Sequence, residues 1–265
     1  AARFPGILIL VFAFSLIGAA CRERRPEPKL ETHRTIPSQG ESRAVVTIKM
    51  AAGELDVRGG AGGELMKGSF YYNRRPWEPR IDYQVSGGVS RLVVEQRRMG
   101  PAFGRVRNNW NVELSRKIPT ELRLDLGVGK ARIDLDGVPV TKLDVQVGVG
   151  GMDLDLSGAR NEGLTGQIEG GIGRAEILLP SDIGVRLRIE GGLGSIHAPG
   201  FIKDGETFRN EAWGKTGASL DLAIEAGIGR IDLRMKNTRS FSFWARGFSR
   251  LTSRHGGLSA EVGSF

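Results

Sequence analysis

The chain has 265 residues, 38 Lys and Arg against 30 Asp and Glu, a formal net charge of +8, three histidines and one cysteine. A single cysteine excludes an internal disulfide framework, and so few histidines leave no His/Cys metal constellation and no nucleophile–base pair. The positive excess would suit nucleic acid, but much of it sits in residues 22–40, 97–107 and beyond 236, so no nucleic-acid partner is predicted.

Residues 1–20 carry one cation, Arg3, then an apolar run from Ile7 to Ile17 and the small residues Gly18, Ala19 and Ala20. This is the layout of a secretory signal peptide, too short for a comfortable membrane-spanning helix. Leu16 to Cys21 resembles a bacterial lipobox, which predicts cleavage before Cys21, lipidation of Cys21, and a membrane-anchored protein of the bacterial cell envelope. An uncleaved anchor is the alternative. Residues 21–43 are then expected to be the lipidated cysteine and a flexible tether, since Arg22–Gly40 is charged, carries three prolines and has no periodicity.

From about residue 44 the pattern changes. Val45 to Gly59 alternates apolar and polar residues around Gly53, and the same grammar returns later with greater regularity. Between 65 and 112 the rhythm loosens and aromatics gather, among them Phe70, Tyr72, Trp77 and Trp110. Two strands are still legible there, 80–85 and 90–96, joined through Gly87-Gly88. Basic residues next to aromatics in this region can stack on sugars, which makes Trp77 and Trp110 candidates for a carbohydrate or peptidoglycan surface. The plainer reading is that they cap the open end of a stacked architecture.

The organising stretch is 122–196. Leu-Asp-Leu-Gly-Val-Gly (124–129), Val-Gln-Val-Gly-Val-Gly (145–150), Ile-Glu-Gly-Gly-Ile-Gly (168–173) and Ile-Glu-Gly-Gly-Leu-Gly (189–194) recur at a period near 21 residues, and Ile-Glu-Ala-Gly-Ile-Gly (224–229) follows after an insertion at 201–215. A period near 20 residues marks a repeat architecture. Apolar alternation, as in Leu122, Leu124, Leu126 and Val128 and then Ala131, Ile133 and Leu135, predicts half-buried strands meeting at a glycine corner, with those residues facing inward. One such slice cannot bury its own apolar face, whereas a stack can. The fold class predicted is all-β: a single β-solenoid of stacked, glycine-cornered coils of about 21 residues, spanning 44–235. The basic and aromatic tail at 236–265 breaks the repeat and is read as a poorly ordered extension, with contact to an anionic membrane as the alternative.

Outward positions should form columns. One contains Asp125, Gln146, Glu169, Glu190 and Glu225; another contains Lys130, Gly151, Arg174, Ser195 and Arg230. A mixed solvated face explains them, while Glu169, Glu190 and Glu225 are the candidates for an acidic interaction stripe. The Gly-x-Gly pairs do not meet the dinucleotide-binding fingerprint, because the third glycine is replaced by Arg132, Asp153, Glu176, His197 or Asp232 and strands follow instead of helices. Carboxylates spread over many coils without bracketing loops predict no catalytic site and no cofactor.

Ala52-Gly53-Glu54-Leu55-Asp56-Val57, Tyr72-Asn73 with Pro76, Trp110 to Leu114, the two Gly-Val-Gly units and Asn210-Glu211-Ala212-Trp213 together resemble the toast-rack family, bacterial envelope domains found in LiaF-like cell-wall stress proteins and related adhesin-like proteins. The resemblance implies a non-enzymatic interaction or sensing scaffold. The partner would be another cell-envelope protein or, alternatively, cell-wall glycan. A candidate lipid anchor in place of several transmembrane helices departs from the LiaF-like pattern.

Overall fold

The structure, a computed structural model, describes residues 29–96, 107–158 and 162–236. The expected signal at 1–20, the lipidation candidate Cys21, most of the loop at 97–109 and the tail beyond Lys236 lie outside them. Among the described residues no helix is long and apolar enough to cross a membrane.

Six long strands form the body: β2 (Arg43–Ala61), β7 (Thr120–Asp134), β8 (Val140–Asp155), β9 (Leu164–Pro180), β10 (Gly184–His197) and β13 (Ser219–Lys236). Each runs through a glycine corner, and all pair in parallel. Register follows the repeats: Gly53, Gly129, Gly150, Gly173, Gly229 and Gly194 stand side by side. The residues before and after the corner make two leaves that enclose one apolar core. Leu122, Leu124 and Leu126 come from one leaf and Ala131, Ile133 and Leu135 from the other, all buried. A parallel strand of this kind is stable only because both neighbours in the stack cover it.

The corners need glycine for a geometric reason. Gly129, Gly150, Gly173 and Gly229 have φ between +142° and +156°, and a Cβ on Gly150 would lie 1.8 Å from the carbonyl oxygen of Gly129. Neither strain nor space admits a side chain.

Spatial order departs from chain order. The expected succession of coils would put β13 after β10, but β13 lies between β9 and β10. β10 is the terminal coil, and its corner differs accordingly: positive φ falls on Gly191 and Gly192 instead of Gly194. Its first leaf is covered by an antiparallel hairpin, β11 (Ile202–Asp204) and β12 (Thr207–Arg209), which is the excursion expected at 201–215. The side chain of Asn210 locks this cap, accepting from the amide of Val185 at 2.9 Å and donating to the carbonyl of Ile183 at 2.7 Å.

At the opposite end β2 forks. Its first half pairs with β5 (Val89–Gln96), which pairs with β4 (Pro79–Ser86) through the turn at Gly87 and Gly88. Its second half pairs with β6 (Asn108–Ser115), followed outward by β3 (Glu64–Tyr72) and β1 (Leu30–Pro37). β1 corrects the expectation of a continuous tether to residue 43. Leu30 and Ile36 pack against the core, Thr32 Oγ1 meets the Tyr72 hydroxyl at 2.9 Å, and the strand closes the otherwise open edge of β3.

Candidate interaction surface

Five of the six glycine corners carry a large aliphatic side chain at the apex, and it is in solvent; β2 has the half-buried Ala52 in that place. Val128, Val149, Ile172, Ile228 and Leu193 are 52%, 45%, 54%, 53% and 76% exposed, and the strand register aligns them in a single row. Alternation predicted Val128 to face the core; the structure places it, and its counterpart Val149 one coil on, outside. The correction has a clear cause. The period breaks one residue earlier, at Gly127 and Gly148, which the ladder skips between the pairs Leu126–Val147 and Val128–Val149, so the phase of the first leaf is not inherited by the apex. Because these aliphatics stand outside, the inside of the corner beneath β9, β13 and β10 is left with a narrow apolar hollow of about 90 Å³, which Met152, Ile168, Ile224 and Ile231 help to line. That is well below the several hundred Å³ of a typical small-molecule site.

A row of charge flanks the apex on each side. In spatial order the first contains Asp125, Gln146, Glu169, Glu225 and Glu190, so the three glutamates stand in one row, with Glu225 and not Glu190 next to Glu169. Gln167 Nε2 donates to Glu169 at 2.9 Å and to Glu225 at 3.3 Å, which eases the repulsion between neighbouring carboxylates. The second row contains Lys130, Gly151, Arg174, Arg230 and Ser195. Lys130 reaches Asp153 at 3.1 Å, and Arg174 reaches Asp232 at 3.2 Å and Glu176 at 3.4 Å. Lys130–Asp153 joins adjacent coils and Arg174–Glu176 lies within β9, both exposed pairs of the class that contributes little to stability, whereas Arg174–Asp232 joins adjacent coils with its carboxylate buried.

Trp77 and Trp110 do not belong to this surface or to any other. Both are buried, at 1% and 0% exposure, which corrects their assignment as possible sugar platforms. Phe70 meets Trp110 edge to face at 5.3 Å between centroids, and the Trp110 indole donates to Asn108 Oδ1 at 2.9 Å. The aromatics plug the β2 end, where strands of both leaves must close over the core.

An aromatic that does reach solvent is the half-buried Trp213. It borders a polar groove on the outer face of the first leaf, formed with Arg186, Arg188, Asp204, Arg209 and Asp221. The Arg186 guanidinium lies 4.7 Å from the Trp213 ring centroid and is paired with Asp221, which raises its pKa above the ordinary arginine value; Arg209 pairs with Asp204 at 3.1 Å. Arg188, on the same face two residues along β10, is exposed. Trp213 belongs to the Asn210–Trp213 stretch, but the groove beside it has no local mark in the sequence, because it depends on β13 intervening between β9 and β10. No group of three or more His, Cys, Asp or Glu positioned for a metal occurs among the described residues.

Comparison with known proteins agrees with this architecture. The family described as N-terminal domain of toast_rack, DUF2154, matches residues 25–178, more than half of the chain. Among solved structures, a “putative cell adhesion protein” from Clostridium sporogenes is 33% identical, with a TM-score of 0.74 over 79% of this chain and 100% of its own. A “putative adhesin” from Bacteroides fragilis is 12% identical, with a TM-score of 0.28 over 78% of this chain and 98% of its own, too distant to carry an argument. No curated protein matches the sequence. By the extent of the family match and the end-to-end alignment with its clostridial relative, the chain belongs to the toast-rack family.

Proposed function

We propose that this protein is a non-enzymatic, adhesin-like interaction module displayed in the bacterial cell envelope, tethered to a membrane through Cys21 and engaging another envelope protein. The observation that carries the reading is the 33% identity to the clostridial “putative cell adhesion protein” over that protein's whole length. The surface supports it: the chemistry presented is repeated in rows along a rigid stack, a form suited to extended contact with a macromolecule. Crosslinking of the full chain in intact cells tests it. Recovery of one defined envelope protein, lost when residues 44–235 are deleted, is the expected result; recovery of cell-wall glycan without protein sinks it.

A second reading, binding of an anionic cell-wall glycan, rests on the Trp213 groove and its three arginines. Trp213→Ala and Arg188→Ala should each weaken retention on purified peptidoglycan while leaving the melting profile intact. Equal retention of wild type and both variants removes this reading.

A further inference from the structure

The apex row and its two flanks make a pattern that is complementary to itself. The five apex aliphatics run in register along the stack, spaced by about 4.8 Å, and so make a ridge about 19 Å long. An exposed apolar patch of this extent is of the size of the largest patch on an ordinary monomer, and such patches often serve as contact surfaces.

The charges decide what could cover it. On β7, Asp125 on one flank is matched by Lys130 on the other; on β9, Glu169 by Arg174; on β13, Glu225 by Arg230. On β8 both flanks are uncharged, Gln146 and Gly151. Only the terminal β10 departs, with Glu190 opposite Ser195. A foreign partner would need one flank or the other, not a charge balance repeated coil by coil. We propose that the apex is a self-association surface, on which a second copy of this chain packs ridge against ridge with the two solenoids parallel.

The orientation follows from symmetry. A two-fold axis parallel to the ridge lays the acidic flank of each copy over the basic flank of the other and keeps equivalent coils opposite one another. A two-fold axis perpendicular to the ridge would lay acid on acid and base on base, which is repulsive. The parallel contact is isologous: Glu169 faces Arg174 of the second copy and the reverse. Arg230 forms no ion pair among the described residues and is free to serve it. Both copies also present the β1 edge, where the described N-terminus lies, at the same end of the pair.

The ridge exposes on the order of 450 Å² of apolar surface per copy, roughly half of what a standard stable interface uses per partner. The dimer is therefore weak and reversible in dilute solution and favoured where copies are concentrated.

Charge reversal tests this. Sedimentation equilibrium of the full chain in density-matched detergent is compared for wild type, for Glu169→Arg with Glu225→Arg, and for Arg174→Glu with Arg230→Glu. Each double variant, confirmed folded by far-UV circular dichroism, should self-associate at least roughly 10-fold more weakly than wild type, since each now faces like charge. An equimolar mixture of the two should regain association, because one presents two basic flanks and the other two acidic ones. Ile172→Asp with Ile228→Asp should abolish dimers without restoring them in any mixture. A wild type that stays monomeric at all concentrations overturns the proposal. So does a dimer unmoved by either reversal, which would place the contact elsewhere, or a mixture that remains monomeric.

Discussion

Replacing Gly150 by alanine should be among the most damaging single-methyl changes in this protein. Gly150 has φ +142°, in the half of backbone space that L side chains avoid, and holding alanine there costs about 1–3 kcal/mol. The new Cβ would also lie 1.8 Å from Gly129 O and 2.8 Å from Gly129 C. Contact at van der Waals distance requires β7 and β8 to separate by more than an ångström at the corner, which would disrupt two or three ladder hydrogen bonds at about 1 kcal/mol each. The sum, about 3–6 kcal/mol, is a large part of the 5–15 kcal/mol that stabilises an ordinary domain. In a domain of this size it should lower the thermal midpoint by roughly 10–20 °C. The control is Gly170→Ala, two strands' worth of chemistry away in kind but close in space: that glycine has no positive φ and no atom within 4 Å of its Cβ position. It should melt within a few degrees of wild type. Circular dichroism melts of the three proteins make the comparison, and a Gly150→Ala melt indistinguishable from that of Gly170→Ala would refute the corner argument.

Three further outcomes are expected. Trp110→Ala removes a fully buried ring packed on Phe70 and should cost about 3–5 kcal/mol in urea denaturation, with no change in glycan retention. Asn210→Ala leaves the amide of Val185 without the side-chain oxygen that caps it, at about 1–3 kcal/mol, and should raise hydrogen exchange at β10 and β12 before the rest of the stack. Burial pushes the Glu41 carboxyl up, but its own amide, that of Gln39 and the Ser38 hydroxyl together hold it below its ordinary 4.5. A lowered folded pKa means that its stabilisation is present above about pH 4.5 and is lost as pH falls through the folded value. Urea midpoints measured from pH 7 to pH 3 should therefore fall less steeply at the acid end in Glu41→Gln than in wild type.

The repeat was legible because its constraint is local. Each corner requires glycine, each leaf requires alternation, and both leave a mark every 21 residues or so that needs no knowledge of neighbours. The columns of Glu169, Glu225 and Arg174 followed from the same register. Other features were hidden because they depend on contacts between distant segments. β13 keeps the corner motif apart from Ala226 in place of a glycine, and β10 has the same glycines as β9, so only the shift of positive φ to Gly191 and Gly192 and its dependence on the β11–β12 cap mark β10 as terminal. Leu30–Pro37 read as tether because its composition is polar, yet an edge strand with one lightly buried face needs little more than Leu30 and Ile36. Val128 was assigned to the core because a period of two was carried through Gly127, where the ladder skips a residue and the period breaks. Trp77 and Trp110 were ambiguous in sequence, and the burial of both resolves them as the plug of the β2 end.

The central functional claim is that this stack works by contact with a macromolecule. The most direct measurement is photocrosslinking in intact cells, with a photoreactive residue placed at Ile172 on the apex of the full chain and the adducts identified by mass spectrometry. The account predicts covalent adducts to protein: a second copy of this chain through its own apex, an envelope partner, or both. Adducts to lipid or glycan alone, or none above a control residue in the buried core, would contradict it.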